Sequence, residues 1–201
     1  MTVTEQTSLD NSDSALMLSY SAGDKEGFDV LYRRHKTSVF RFFYFGTEGD
    51  ETLAGELFQD VWMTIVRGRK RYTKDIRFAD WLRHIAWARL YDHLRLHPSY
   101  HLEKRQLSAG SEDTLQQDLP PNVVSMYPNG VPVDFNSMSD EQLLGQLKSL
   151  SDDHREIVLL RFCLRMDFNE IAQFLDVARS SVNRLHREAV VRLRQGEPEA
   201  C

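Results

Sequence analysis

The residues of this chain that could do the most specific chemistry lie near its C-terminus, between Arg179 and Gln195. This stretch has the pattern of a helix whose exposed face carries arginine, serine and asparagine side chains. A helix with such a face can enter the major groove of DNA, where these side chains bond base edges and phosphates. The candidate DNA-contacting residues are Arg179, Ser180, Asn183, Arg184 and Arg187.

The elements before this stretch predict how it is held. The sequence indicates one helix from Ser151 to Arg161 and a short second helix from Asp167 to Leu175, followed by a turn from Asp176 to Ala178. A short helix, a tight turn and a longer arginine-rich helix are typical of a helix-turn-helix. The C-terminal part of the chain is therefore predicted to bind duplex DNA.

A basic run from Arg67 to Tyr72 ends a predicted helix that starts at Thr52. Cations are favourable at a helix C-terminus because the helix dipole is negative there. Four cations in five residues are more than the dipole requires. We therefore favour a phosphate-binding patch, with Arg69, Lys70, Arg71 and Tyr72 as its candidate residues.

The next predicted helix, from Asp75 to Leu96, interleaves aromatic and basic residues. This composition suits single-stranded DNA, because unstacked bases can lie on aromatic rings while arginines hold phosphates. The alternative is that the apolar stripe Phe78, Leu82 and Ile85 is core, and Trp81 lies beside that stripe and fits either role. The candidates for single-strand binding on this helix are Trp81, Arg83 and Arg89.

A third surface, the acidic face, consists of Glu56, Gln59 and Asp60 on the helix that starts at Thr52. Their spacing of i, i+3 and i+4 aligns them on one side of the helix. From the residues alone, this face is either a solvated helix surface or a docking surface for a basic partner.

The sequence does not indicate an enzyme. His93, His97 and His101 recur every four residues, but Pro98 interrupts their helix and no carboxylate or cysteine completes a ligand set. The chain also lacks a nucleophile elbow, a phosphate-binding glycine loop and a His-Glu-x-x-His motif. We predict no catalytic residues, no metal and no cofactor.

Composition and charge divide the 201 residues into modules. The net charge of −5 argues against non-specific coating of DNA. Eleven Lys and Arg against four Asp and Glu lie between Arg67 and Arg105, whereas no basic residue lies between Arg105 and Lys148. Four of the six prolines lie between residues 120 and 132, which is typical of a linker. This distribution predicts two nucleic-acid-binding modules joined by a non-binding segment.

We therefore predict an all-α protein with two small helical domains, residues 12–97 and 138–196, joined by a flexible linker of residues 98–137. The N-terminus lacks the features of a signal peptide, and no apolar run approaches the roughly 20 residues that span a bilayer. The two cysteines, Cys163 and Cys201, suggest no disulfide framework. These features predict a cytoplasmic protein without a membrane span.

Four segments, in order, resemble the small two-domain extracytoplasmic-function sigma factors of bacterial RNA polymerase. Residues 23–32 look like the family's first conserved helix, and residues 54–62 resemble its polymerase-binding helix. Residues 78–86, with Asp92 to Arg95, look like the promoter-melting helix, and residues 150–193 are similar to the C-terminal helix-turn-helix.

The resemblance implies a role for each surface. Glu56, Gln59 and Asp60 would dock on a basic coiled coil of the largest polymerase subunit. The basic run and the aromatic helix would open and bind the −10 element as single-stranded DNA. The helix-turn-helix would bind the −35 element as duplex, with Ser181 added to its candidate residues. An anti-sigma factor is a further partner that the resemblance implies.

The sequence departs from the family's pattern at several positions. Ser151 stands where the family usually has proline, and Ala88 where it usually has asparagine. Asp176 replaces the glycine common in the turn, Asn183 replaces a basic residue, and His186 replaces Leu or Ile. These changes leave the expected fold intact but predict a promoter preference different from the family's common one.

The main alternative is a free-standing helix-turn-helix regulator whose N-terminal module senses a signal or dimerises. The basic and aromatic residues between Arg67 and Arg105 argue against it, because a sensing domain needs no such concentration of cations. A second alternative is an adaptor that sequesters another regulator, and it leaves the arginine-rich C-terminal helix unexplained.

Overall fold

A computed structural model describes residues 12–95 and 138–195, and every regular element in these ranges is a helix. The described residues form two separate compact units, one in each range. The predicted all-α class with two helical domains is confirmed, whereas the predicted linker lies outside the described residues. The first unit contains α1 (Asp13–Ala22), α2 (Lys25–Gly46), α3 (Glu51–Gly68), a 3-10 turn (Arg69–Arg71) and α4 (Phe78–Arg95). The second contains α5 (Asp140–Lys148), α6 (Asp152–Phe162), α7 (Phe168–Leu175) and α8 (Arg179–Gln195).

Gly23 divides the N-terminal apolar pattern into two helices. Its φ of 117° lies in the left-handed region, which glycine adopts without steric cost. Asp24 then begins α2, because its carboxylate accepts a hydrogen bond from the backbone N–H of Glu26 at 3.0 Å. At Gly27 the two helices approach so closely that a Cβ atom would lie 2.6 Å from the carbonyl oxygen of Leu16.

Aromatic and aliphatic side chains fill the interior of each unit separately. A fully buried side chain of this size contributes roughly 1.5–3 kcal/mol of transfer free energy. The largest fully buried side chains are Met17, Leu31, Phe42, Phe43, Phe45, Ile65 and Phe78 in the first unit, and Leu147, Ile157, Leu160, Ile171 and Leu193 in the second. Within the described ranges, no helix is both long and apolar enough to cross a bilayer.

The helix predicted from Asp75 begins later, at Phe78. Residues 72–77 form a loop, in which the Tyr72 hydroxyl donates to the backbone oxygen of Ile76 at 2.6 Å. The Phe78 N–H donates to the hydroxyl of Ser14 on α1 at 3.1 Å. The start of α4 is therefore fixed by contacts from a distant helix that the local sequence does not reveal.

Local capping defines the helix-turn-helix of the second unit. Asp167 accepts hydrogen bonds from the N–H groups of Asn169 and Glu170, and Glu170 accepts one from the N–H of Asp167. Asp176 ends α7 with a φ of 54°, a left-handed conformation that aspartate tolerates better than most residues. This explains how aspartate replaces the glycine common at this turn.

Candidate nucleic-acid interfaces and docking face

The acidic face lies on the solvent side of α3. Glu56, Gln59 and Asp60 are all exposed, whereas the opposite side of the helix is buried in the core. None of the three side chains forms a hydrogen bond or ion pair with another described residue. The carboxylates of Glu56 and Asp60 are therefore available to bind basic groups of another molecule.

Met63 extends the acidic face and was not singled out from the sequence. Its side chain is 39% exposed, although it is large and apolar. It follows Gln59 by four residues and Asp60 by three, so all three lie on one side of α3. The same helical spacing could have identified Met63 from the sequence. An apolar residue on a polar helix face adds contact area for a partner beside the charged side chains.

The basic run continues past the end of α3 into the 3-10 turn. Arg67, Lys70 and Arg71 are exposed, and their side chains have no hydrogen bond or ion pair within the described ranges. Arg69 differs, because it is half-buried and donates to the backbone oxygen of Val66 at 3.0 Å. The run thus presents three unpaired cations to solvent.

Tyr72, predicted as part of the phosphate-binding patch, is buried. Only 7% of the residue is exposed, and its ring packs beside Phe78 and Trp81 at centroid distances of 6.5 and 5.4 Å. The aromatic pocket and the hydrogen bond to Ile76 both hold the ring inside. Tyr72 therefore supports the loop after the basic run and offers no exposed face for a base in this conformation.

The candidate residues of α4 are half-buried. Trp81 packs so close to the end of α3 that a Cβ atom at Gly68 would lie 3.2 Å from its indole ring. Arg83 pairs with Asp80 at 3.2 Å, and Arg89 donates to the hydroxyl of Thr64 on α3, also at 3.2 Å. These arginines therefore also serve contacts within the first unit.

Both expectations for the aromatic helix are met in part. Phe78 and Leu82 are buried as core residues, but Ile85 is only half-buried. Trp87 and Tyr91 stack on each other with a centroid distance of 4.7 Å and both remain partly exposed. Core packing accounts for part of this helix, and exposed aromatic surface remains beside it.

The outer face of α8 presents the predicted DNA-contacting residues. Arg179, Ser180, Arg184 and Arg187 are exposed, while Ser181 and Asn183 are half-buried. The inner face packs against α6 and α7. The helix thus separates a polar outer surface from its buried side, as the spacing predicted. The buried residues of α8 are Val182, Leu185, His186, Ala189, Val190 and Leu193.

His186 lies on the buried side of α8, against the rings of Phe162 and Phe168. Burial, together with the positive charge of Arg161, lowers the pKa of His186 to about 4. The imidazole is therefore neutral at physiological pH and takes the place of an apolar core residue, consistent with the Leu or Ile common at this position.

The described residues contain no cluster of side chains suited to holding a metal ion. Of the three regularly spaced histidines, His97 and His101 lie outside the described residues.

Each of the two units contains a match to a family of known proteins. Residues 31–97 match the family described as Sigma-70 region 2, and residues 146–195 match Sigma-70, region 4. Together the two matches cover more than half of the chain. The first contains the acidic face and the basic run, and the second contains the helix-turn-helix.

Individual proteins extend the similarity over most of the chain. The RNA polymerase sigma factor CarQ of Myxococcus xanthus is 28% identical over 85% of this chain and 90% of CarQ. The ECF RNA polymerase sigma factor BldN of Streptomyces coelicolor is 26% identical over 90% of this chain and 65% of BldN. The fold is similar to that of the sigma factor RpoE of Bartonella quintana, solved with the anti-sigma factor NepR, with a TM-score of 0.56, 16% identity and coverage of 84% of this chain and 94% of RpoE. The chain therefore belongs to the extracytoplasmic-function group of the sigma-70 family, and is an RNA polymerase sigma factor that binds the core enzyme and directs promoter-specific initiation of transcription.

Proposed function

We propose that residues 12–97 bind the polymerase core and the −10 element, that residues 138–196 bind the −35 element, and that residues 98–137 link them without binding duplex DNA. The separation of the exposed charges supports this division. The acidic face and the basic run belong to one unit, and the arginine-rich face of α8 belongs to the other. Because polymerase supplies the catalytic chemistry, the sigma factor itself makes or breaks no covalent bond.

The acidic face is the proposed contact to polymerase. Glu56, Gln59 and Asp60 would dock on a basic coiled coil of the largest polymerase subunit, with Met63 adding an apolar contact. The observation that carries this proposal is that both carboxylates are exposed without any partner among the described residues. Complementary charge favours rapid and specific association in such an interface.

The basic run and α4 are the proposed contact to the melted −10 element. Lys70 and Arg71 would hold phosphates, and the partly exposed ring of Trp81 would accept an unstacked base. Arg69, Arg83 and Arg89 would assist from half-buried positions, each already held by a contact within the unit. Buried Tyr72 would support this surface from beneath.

The function is tested by run-off transcription with purified core polymerase and genomic DNA fragments. Transcripts that depend on this protein would identify its promoters. A Lys70→Ala, Arg71→Ala double variant is expected to reduce transcription from such a promoter about tenfold, because two phosphate contacts to the opened strand are lost. A template already unpaired across the −10 element should restore most of the activity.

A matched control removes two exposed cations elsewhere in the same unit. Arg33 and Lys36 are exposed on α2 and belong to neither proposed contact. Their alanine double variant should transcribe at the normal level. Equal loss in both double variants would instead indicate a non-specific effect of charge and would remove the basic run from the −10 contact.

The outer face of α8 is the proposed −35 contact, through Arg179, Ser180, Ser181, Asn183, Arg184 and Arg187. An Arg184→Ala variant is expected to weaken promoter binding by about 1–3 kcal/mol and to relax the preference at one base pair, while core binding is unchanged. Promoter binding is measured by titration of the holoenzyme on promoter fragments. Lys148→Ala removes an exposed cation of the same unit and should have little effect; unchanged binding by Arg184→Ala would remove Arg184 from the site.

An anti-sigma factor is a further proposed partner. The sigma factor RpoE of Bartonella quintana was solved with such a protein, and this chain leaves several large apolar side chains exposed on its helices. A partner that covers them would compete with polymerase. The exposed side chains include Leu18, Phe40 and Met63 in the first unit and Phe162 and Val191 in the second. Since its proposed partner is the transcription machinery, the proposed location of this protein is the cytoplasm.

A further inference from the structure

A chain of hydrogen bonds joins the start of α6 to the outer face of α8. The Ser151 hydroxyl lies 2.5 Å from Nδ1 of His154, and Nε2 of His154 lies 3.1 Å from Oε2 of Glu188. Glu188 also accepts from Nη1 of Arg184, at 3.2 Å to Oε1 and 3.5 Å to Oε2. A network centred on the buried His154 thus ends on an exposed arginine of the proposed −35 contact.

The donor and acceptor roles in this network follow from the chemistry of its groups. A carboxylate only accepts hydrogen bonds, so Nε2 of His154 must donate to Glu188. In a neutral imidazole with Nε2 as the donor, Nδ1 accepts from the Ser151 hydroxyl, and Nη1 of Arg192 lies 3.5 Å from the same nitrogen. Partial burial alone would raise the pKa of Glu188, but the hydrogen bonds from His154 and Arg184 and the positive charge of Arg184 hold it below its ordinary value.

The pair of Arg184 and Glu188 is poorly explained by helix stability. A basic residue four positions before an acidic one is the less favourable order on a helix. Ser151 is also diverted from its usual task, because as the N-cap residue of α6 it makes no side-chain bond to a backbone N–H. The side-chain bonds of this network therefore fix the position of the Glu188 carboxylate and add little to the stability of α6 and α8.

We propose that Glu188 is a positioning residue for base reading by Arg184, and that His154 holds Glu188 in place for this task. Arg184 is 58% exposed, so most of its guanidinium can still face DNA. Reading guanine requires a guanidinium in a fixed orientation, whereas a phosphate can be met in many orientations. Glu188 would restrict that orientation and oppose unspecific attraction of Arg184 to phosphates. This inference rests on the proposed role of Arg184 at the −35 element.

The test uses the full chain with polymerase core, on a promoter found by run-off transcription and then randomised in its −35 element. Glu188→Gln should lower discrimination at the base pair read by Arg184 by about fivefold to tenfold. Affinity for unrelated duplex DNA should rise severalfold and depend more steeply on salt, because the cation is no longer neutralised. If Glu188 had a purely structural role, Glu188→Gln would not lower discrimination at that base pair alone, and it would not raise the affinity for unrelated DNA.

Control variants separate the positioning role of Glu188 from the −35 role of Arg184. Glu141→Gln removes an exposed carboxylate on α5 and should leave discrimination unchanged. His154→Phe, which lacks the donor to Glu188, should reproduce part of the loss, and His154→Gln, which keeps a donor, should restore it. In an Arg184→Ala background, Glu188→Gln should have no further effect.

Two results would overturn the inference in different ways. If Arg184→Ala relaxes one base pair but Glu188→Gln leaves that preference intact, Arg184 reads DNA without Glu188. If Arg184→Ala itself changes no preference, the proposed −35 role of Arg184 fails and the positioning role fails with it.

Discussion

An Asp60→Arg variant is expected to lose binding to the polymerase core while it keeps its helical content. Asp60 lies in the middle of the exposed acidic face, so the substitution places a cation against a basic partner surface. The side chain forms no hydrogen bond or ion pair with the described residues that the change would break. Reversal of a charge at the centre of such an interface should raise the Kd about a hundredfold or more.

The measurement is the Kd for core polymerase, with circular dichroism to check the fold. Asp29→Arg is the matched control, because Asp29 is also exposed in the first unit, has an unpaired side chain and lies on α2 instead of α3. That variant should bind core normally, although its charge changes by the same amount. Normal core binding by Asp60→Arg, with an unchanged dichroism spectrum, would show that the acidic face is not the docking surface.

The second large effect concerns the stability of the C-terminal unit at acidic pH. The pKa of His186 falls from 6.5 to about 4 on folding, so the unfolded chain binds a proton at pH 5 that the folded unit does not bind. The stabilising contribution of the neutral ring is present above pH 6.5 and is lost as the pH falls towards 4. Between pH 7.5 and 5, His186 should lower the free energy of unfolding of this unit by about 2 kcal/mol.

A His186→Leu variant should remove this pH dependence, because leucine does not titrate. It should also be at least as stable at neutral pH, since Nε2 of His186 is buried without a hydrogen-bond partner among the described residues. All three tryptophans, Trp62, Trp81 and Trp87, belong to the first unit. Tryptophan fluorescence therefore follows urea unfolding of that unit, while far-ultraviolet circular dichroism reports both units.

The expected result is a dichroism transition that shifts to lower urea at pH 5 in the natural chain but much less in His186→Leu. The fluorescence transition of the first unit should be the same in both proteins at each pH. If both proteins lose stability in parallel between pH 7.5 and 5, the buried histidine does not carry the effect.

Exposure along a single helix could be predicted well from the sequence. The face of α3 with Glu56, Gln59 and Asp60 and the outer face of α8 follow from helical spacing, because each helix must bury its apolar side. The observed α8 has the bounds predicted for it, Arg179 to Gln195.

Contacts between helices could not be predicted in this way. Tyr72 was expected on the surface because it ends a basic run, but packing against Phe78 and Trp81 buries it. Similarly, Arg83 and Arg89 look like free cations in the sequence, but Asp80 and Thr64 bind them. Helical spacing shows on which face of a helix a side chain lies, but it does not show which group the side chain contacts.

The amino-acid sequence by itself determined the all-α class, the two helical modules, the family and the faces that carry charge, because these depend on residue spacing and on motifs within single segments. Only the tertiary structure decided which charges remain free and which are held. Glu188 meets His154 from 34 positions away in the chain, and Arg89 meets Thr64 from 25. Such pairs depend on how whole helices pack, and that packing is set by the shared core and not by the residues of the pair.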